Sequence, residues 1–383
     1  MTLSALLSQI LVAFTLEFDN EFEFQMIRSG YPGATVSRIV WASVIRHISL
    51  NGSSVRVLAE ESLSPLPHLK HQLGCLERWG YIKLTSQSAS LGKRDGWGSG
   101  RGVNSNCTMT LTQKGVVSRE VWLPLTEKIE QRWLARFGQE VLSSLRDGLK
   151  MIALKTELQG PDPSDHTSIA KGRPRPAGPT VDDADLPTLL SWVLQMFQVE
   201  FDHESSVPFE LCANTIRVLG IQPIKESEIP RLTGTSPETS GIGWQVKPYV
   251  IIEPDPGAKR GKLIRLSERG IAAQGVYHKL VGEIEARWRE RYGASAFDSL
   301  SLALVSLYEI GDDGKPRICE CLTPHQGTAR SGKPSAALGR KEIGPAARQR
   351  ARDIVAQTQE FLRDPAGTLP HFPLWDMNRG FGP

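Results

Sequence analysis

Apolar residues recur at helical spacing over most of the chain, and short alternating runs interrupt them at two places. In the first 155 residues this pattern predicts a helix over Ser4–Phe18, a second around Val36–Ile48, and a short third over Ser53–Leu63 with Ser53 or Ser54 as its cap. A helix over Leu66–Trp79 follows. It runs into a strand, "YIKLTS", then a long Gly-rich loop, "ASLGKRDGWGSGRGVNSN", and a returning strand, "CTMTLT". One long amphipathic helix from Gln113 to about Phe137 and another from Gln139 to Leu154 complete the set. Short helix, turn, second helix and two-stranded wing is the order of a winged helix-turn-helix.

The pattern then repeats. "LLSQILVAFTLEFDNE" (Leu6–Glu21) returns as "LLSWVLQMFQVEFDHE" (Leu189–Glu204), and "LTQKGVVSREVWLPLTEKIEQRWLARFG" (Leu111–Gly138) returns as "LSERGIAAQGVYHKLVGEIEARWRERYG" (Leu266–Gly293). The first pair is further apart than the second, so the second half is shorter in its middle. This divides the chain into a first repeat over 1–157, a linker over 158–183, a second repeat over 184–311, and a final part over 312–383. The linker is rich in Pro, Gly and polar residues and has no apolar period. Within it "KGRPRP" resembles an AT-hook core, which nominates Lys171, Gly172, Arg173 and Pro174 for a minor groove. In the final part, Gly311–Leu338 reads as loose and Arg340–Arg363 as a basic helix with Ile343, Ile354, Val355 and Phe361 as its apolar groups.

On a helical projection of "HLKHQLGCLERWGYIKL", Leu66, Leu69, Leu73 and Leu76 share one side, while Pro67, His71, Gly74, Cys75 and Arg78 share the other. A face with a small residue at its middle and basic groups at both ends suits close approach to a polyanion. His68, Lys70, His71 and Arg78 are therefore candidates for base edges and phosphates, with Lys83 on the strand beyond. Lys93, Arg94 and Arg101 lie among glycines in the wing, where long cationic side chains can follow a backbone or reach a minor groove. Lys259, Arg260, Lys262 and Arg265 occupy the equivalent wing of the second half. Cys75, projecting on the same face as His71, is a candidate redox site.

The succession "VRVLAEESLSPLPHLKHQLGCLERWGYIKL", with its "LERWGYI" and the later "LTQKG", resembles the MarR-type family of winged-helix transcriptional regulators. The resemblance covers residues 35–137 and, less closely, 207–292. It implies a mainly α (α+β) protein that binds double-stranded DNA. It also implies a dimer-like core of long helices, here fused into one chain as two tandem winged helix-turn-helix domains. Such a chain is a monomeric pseudo-dimer or pairs again as a homodimer. The second half departs from the pattern: "LTGTSPETSGIGWQVKPYVIIEP" stands where a recognition helix belongs, and its Gly241 and Gly243 would each cost about 1 kcal/mol in a helix interior.

The chain has 383 residues, 40% hydrophobic and 23% charged, with a net charge of +3. So mild a balance does not imply nucleic acid by itself, and the argument rests on where the cations sit. The apolar run Leu3–Leu16 is too short to span a bilayer and lacks a basic leading segment, which points to a cytoplasmic protein and no membrane partner. Five scattered cysteines without C-x-x-C spacing argue against a disulfide framework and a structural zinc site. Cys319, Cys321 and His325 alone would leave a tetrahedral site unfilled. The repeated "EFDNE" and "EFDHE" suggest acids that cap or pair with the Arg132–Arg136 and Arg287–Arg291 segments, in preference to a cation site. The sequence contains no Ser-His-Asp arrangement, phosphate loop or dinucleotide fingerprint. The expectation is a DNA-binding regulator without cofactor or enzymatic activity. A protein-docking winged helix is the alternative, and a small-molecule effector held between the long helices is compatible with either.

Overall fold

The computed structural model describes residues 1–31, 37–38, 44, 47–61, 66–85, 103–155, 180–235, 245–258, 261–332 and 345–373. The helix expected around Val36–Ile48 and the linker motif Lys171–Pro174 therefore lie largely or wholly outside the described residues. So do Ile343 and the wing residues Lys93, Arg94, Arg101, Lys259 and Arg260. The protein is mainly helical, with two small sheets.

Helix α1 (Leu3–Arg28) begins where Thr2 accepts a hydrogen bond from the Ala5 amide, and it is buried along nearly its whole length. The first sheet follows. Strand β1 (Ser53–Ser54) leads directly into α2 (Val55–Glu61), and the Ser54 hydroxyl accepts from the Val57 amide, the cap expected from the sequence. Helix α3 (Leu66–Arg78) precedes β2 (Ile82–Thr85), which pairs antiparallel with β3 (Thr108–Leu111); β3 pairs on its other side with β1. The stretch read as one long helix is two, α4 (Gln113–Trp122) and α5 (Leu125–Phe137), followed by α6 (Gln139–Lys155). Pro124 makes the break, because proline has no amide to donate and its ring collides with the preceding turn.

The second half runs through α7 (Leu186–Glu204), a helical segment at Phe209–Ile216 that turns π-helical at Cys212, β4 (Ile224–Lys225), and the short α8 (Ile229–Thr233). Strands β5 (Val250–Pro254) and β6 (Lys262–Leu266) then form the sheet order β4-β6-β5, matching β1-β3-β2. Helix α9 (Glu268–Tyr292) is continuous, since Lys279 stands at the place of Pro124, and α10 (Ala294–Ser306) follows.

The halves interlock through equivalent helices: α1 lies along α7, and α6 along α10. At the second crossing a Cβ on Gly148 would sit 2.8 Å from the Leu300 Cβ, so a side chain there would push the helices apart. One hydrophobic core runs through both halves. Its aromatic centre repeats as well. Phe14 meets Trp133 at 5.2 Å and Phe197 meets Trp288 at 5.4 Å; Trp133 then abuts Phe137 as Trp288 abuts Tyr292.

The repeated acids pair with the repeated arginines, as the sequence suggested. Arg136 reaches Glu17 at 2.9 Å and Arg132 reaches Glu21 at 2.8 Å, while in the second half Arg291 binds Glu200 and Arg287 binds Glu204. The two clusters differ in cover. The Glu21 side chain is 2% exposed and its counterpart Glu204 is 40% exposed. The cause is residues 317–332, a stretch the sequence pattern reads as loose but which packs over α1. His325 Nε2 lies 2.9 Å from Glu21 and its ring stacks on Phe24, Arg330 donates to Asn20, and the Cys321 thiol accepts from Arg136 at 2.9 Å. From there the chain continues into α11 (Pro345–Arg363) and α12 (Pro365–Thr368), which end against the second half.

Burial works against a charge on Glu21, but hydrogen bonds from His325, Lys128, Gln25 and Arg132 outweigh it and hold the carboxyl well below the usual range. Asp19 goes the other way. Its Oδ1 accepts from the Arg38 amide at 2.7 Å, its Oδ2 has no hydrogen-bond partner, and Arg330 is 3.8 Å away. Burial dominates there and pushes the Asp19 carboxyl up to about 6. A carboxyl that holds its proton more tightly when folded penalises the folded state once ionised, fully above about pH 6 and not at all below about pH 4. Wild type should therefore gain stability relative to Asp19→Asn as pH falls from 6 to 4, by up to about 3 kcal/mol. Urea unfolding of both proteins across that range checks it, and a constant difference would contradict the assignment.

Candidate nucleic-acid interface

Helix α3 is fixed to the first sheet at both its end and its side. Leu69, Leu73 and Leu76 are fully buried, as their spacing requires. At the C-terminus the Trp79, Gly80 and Tyr81 amides donate back to Cys75, Glu77 and Leu76, and Gly80 takes a positive φ of 76°. Two side chains lock this end to β2 and α4. Glu77 accepts from the Leu84 amide at 3.0 Å, tying helix to strand, and Lys114 donates to the Trp79 carbonyl at 3.0 Å while lying 4.0 Å from the centre of the Tyr81 ring. Lys114 is thus a positioning cation absent from the residues that spacing and charge nominate. Its only signal in the sequence is the "QKG" after a strand.

The described candidates fall into two sets. In the first half, Lys70 is half-buried on α3, Arg78 is exposed at its end with its guanidinium 5.9 Å from the Trp79 ring centre, and Lys83 is exposed on β2. Ile82 and Leu84 turn inward on either side of Lys83, so the strand presents that cation on its outer face. His68 and His71 lie on α3, but their side chains are outside the described part of the structure. Cys75 does not project as the helical projection suggested. It is buried, at 8% exposed, which removes the access that a redox role needs.

In the second half the same fold carries a different surface. Lys262 pairs with Glu226 at 3.2 Å and Arg265 with Glu253 at 3.0 Å, so the two described cations of the four expected to meet DNA there are matched by carboxylates of their own sheet region. At the places corresponding to Arg78 and Lys83 stand Val246, which is buried, and Ile251, half-buried. The cysteine and histidine trio also separates. His325 is engaged by Glu21, and Cys321 by Arg136, while the Cys319 thiol lies against the Leu362 carbonyl.

What the halves share is the joint between sheet and long helix. Thr112 and Ser267 each cap a helix by accepting from the Gly115 and Gly270 amides, and their own amides donate to the carbonyls of Tyr81 and Tyr249. Arg269 covers the Tyr249 ring at 4.8 Å as Lys114 covers Tyr81. A Cβ at either glycine would lie 2.1 Å from the tyrosine carbonyl oxygen, so strand and helix touch backbone to backbone.

No family model matches the chain, and no curated protein or solved structure matches it. Among the described residues no helix is long and apolar enough to cross a membrane.

In an ordinary exposed helix, replacing glycine by alanine adds roughly 1 kcal/mol of stability. At Gly115 and Gly270 the backbone contact reverses the sign: alanine should cost about 1–3 kcal/mol through overpacking. Denaturant titration of Gly115→Ala and Gly270→Ala reads this directly, and a stabilised variant would mean that the joint is looser than described.

Proposed function

We propose that the chain is a DNA-binding transcriptional regulator built as two tandem winged helix-turn-helix domains on a shared pseudo-dimer core, similar in plan to MarR-type proteins. The observation that carries this reading is the first half's arrangement. Helices α2 and α3 stand in helix-turn-helix order, β2 and β3 form the wing, and β1 closes the sheet in the order β1-β3-β2. Arg78 at the end of α3 and Lys83 on β2 are exposed cations close in sequence to the helix that would enter a major groove.

In this reading α3 supplies base contacts through His71 and its neighbours, and Arg78, Lys83 and the wing cations Lys93, Arg94 and Arg101 supply phosphate contacts. Affinity comes mostly from the phosphates and falls steeply with salt. Regulation is by occupation of a promoter. A small-molecule effector would act by moving α3 relative to the long-helix core. The alternative, a winged helix that docks protein, is favoured by a specific observation in the second half, where Lys262 and Arg265 are matched internally.

The two roles separate by mutation. Arg78→Ala combined with Lys83→Ala should weaken binding to every duplex and lower the slope of log affinity against log salt by about 2, roughly one unit for each phosphate no longer neutralised. His71→Ala should instead change the preference between a selected and a scrambled duplex, with little change in slope. Fluorescence-anisotropy titrations over a salt series measure both, and unchanged slope and preference would reject the assignment.

A further inference from the structure

The end of α8, which stands in the second half where the first helix of the helix-turn-helix belongs, is covered. Registers of β1 on β3 and β4 on β6 place Leu58 and Ile229 at matching positions, and both are fully buried. Beyond Ile229, Thr233 and Thr235 at the end of α8 are 0% and 1% exposed.

The cover over α8 is the chain's own C-terminal segment. Gln357 on α11 donates to the Thr235 carbonyl at 3.0 Å, and Glu360 lies 3.7 Å from Arg231. At Gly234, in the left-handed region with φ at 70°, a Cβ would meet the Thr368 carbonyl oxygen at 2.0 Å and the Pro370 nitrogen at 2.7 Å. Beyond that ion pair, the segment is fastened by neutral contacts. Asn214, in the π-helical turn, accepts from the Phe372 amide at 3.1 Å and donates to its carbonyl at 2.8 Å. On α1, Gln9 donates to the Ala366 and Leu369 carbonyls and Ser8 to the Pro370 carbonyl. These bonds are backbone-directed and partly or wholly buried, so neither salt nor a polyanion competes for them directly.

A helix-turn-helix lays its first helix across the DNA backbone and sends the N-terminal end of its second into the groove. Residues 357–370 lie against residues 231–235, where the first of those elements ends. We infer that the second winged unit is a seat for this strap and does not read DNA, so that one chain engages one half-site, through the first half alone. The inference rests on the DNA reading above. It accounts for three departures of the second half together: the matched cations Lys262 and Arg265, the apolar Val246 and Ile251 in place of Arg78 and Lys83, and the covered end of α8.

The test uses the full chain on a duplex selected by that chain. Native mass spectrometry fixes the stoichiometry, and hydroxyl-radical footprinting gives the length protected. At one protein per duplex, protection should span one major groove and its flanking phosphates, roughly one helical turn of about 10 bp. One protein protecting two successive grooves would overturn the inference and leave the DNA reading standing. Absence of binding to any duplex at low salt would overturn both. Hydrogen exchange on the same complex follows the strap itself: the Gly234, Leu369 and Phe372 amides should keep their protection when DNA saturates the protein. Loss of that protection on binding would mean that the strap lifts and the second unit opens to DNA, which contradicts a permanent seat.

Discussion

A carboxylate on a buried helix needs donors, and this requirement organises the molecule. Glu17 and Glu21 sit on α1 in the middle of the fold, where Trp133, Arg136, Arg132 and Lys128 of α5 meet them. Removing one partner of a buried pair leaves the other desolvated and uncompensated, so each member fixes the orientation of the helix that carries it. Because α7 and α9 repeat the arrangement with Glu200, Glu204, Arg287 and Arg291, the α1–α7 contact brings two similarly built half-cores together. The aromatic pairs between the same helices fill the space beneath the ions.

The C-terminal segment breaks this near-symmetry in two places. Over the first half it seals the acid cluster, which leaves Glu21 ionised among donors and Asp19 inclined to keep its proton. Over the second half it seals the end of α8. In the first half Arg78 and Lys83 are left exposed, and in the second half Lys262 and Arg265 are paired with Glu226 and Glu253. Under the proposed function, that asymmetry is what separates a reading half from a holding half.

Much of this was legible in the residues. The duplicated "EFDNE" and "EFDHE" beside two arginine-bearing helices foretold the ion pairs, and Ser54 was a recognisable cap. The leucine spacing of α3 gave the buried face. Cys75 was misplaced because a projection on a circle ignores what packs against the helix from the rest of the chain. The break at Pro124 had a plain signal in the proline itself, masked by an apolar period that continues across it. The pairing of Lys262 with Glu226 could not be read, since the partners are far apart in sequence and meet only through the β4–β6 register. Nor could the strap, whose contacts run largely to backbone carbonyls and leave no side-chain pattern.

The central claim is that the first half's outward face meets duplex DNA. Anisotropy of the unmodified protein with a labelled random-sequence duplex, titrated from low to physiological salt, tests it most directly. The account predicts measurable binding at low salt whose logarithm falls linearly with the logarithm of salt concentration. Absence of binding at the lowest salt, or affinity indifferent to salt, would contradict it.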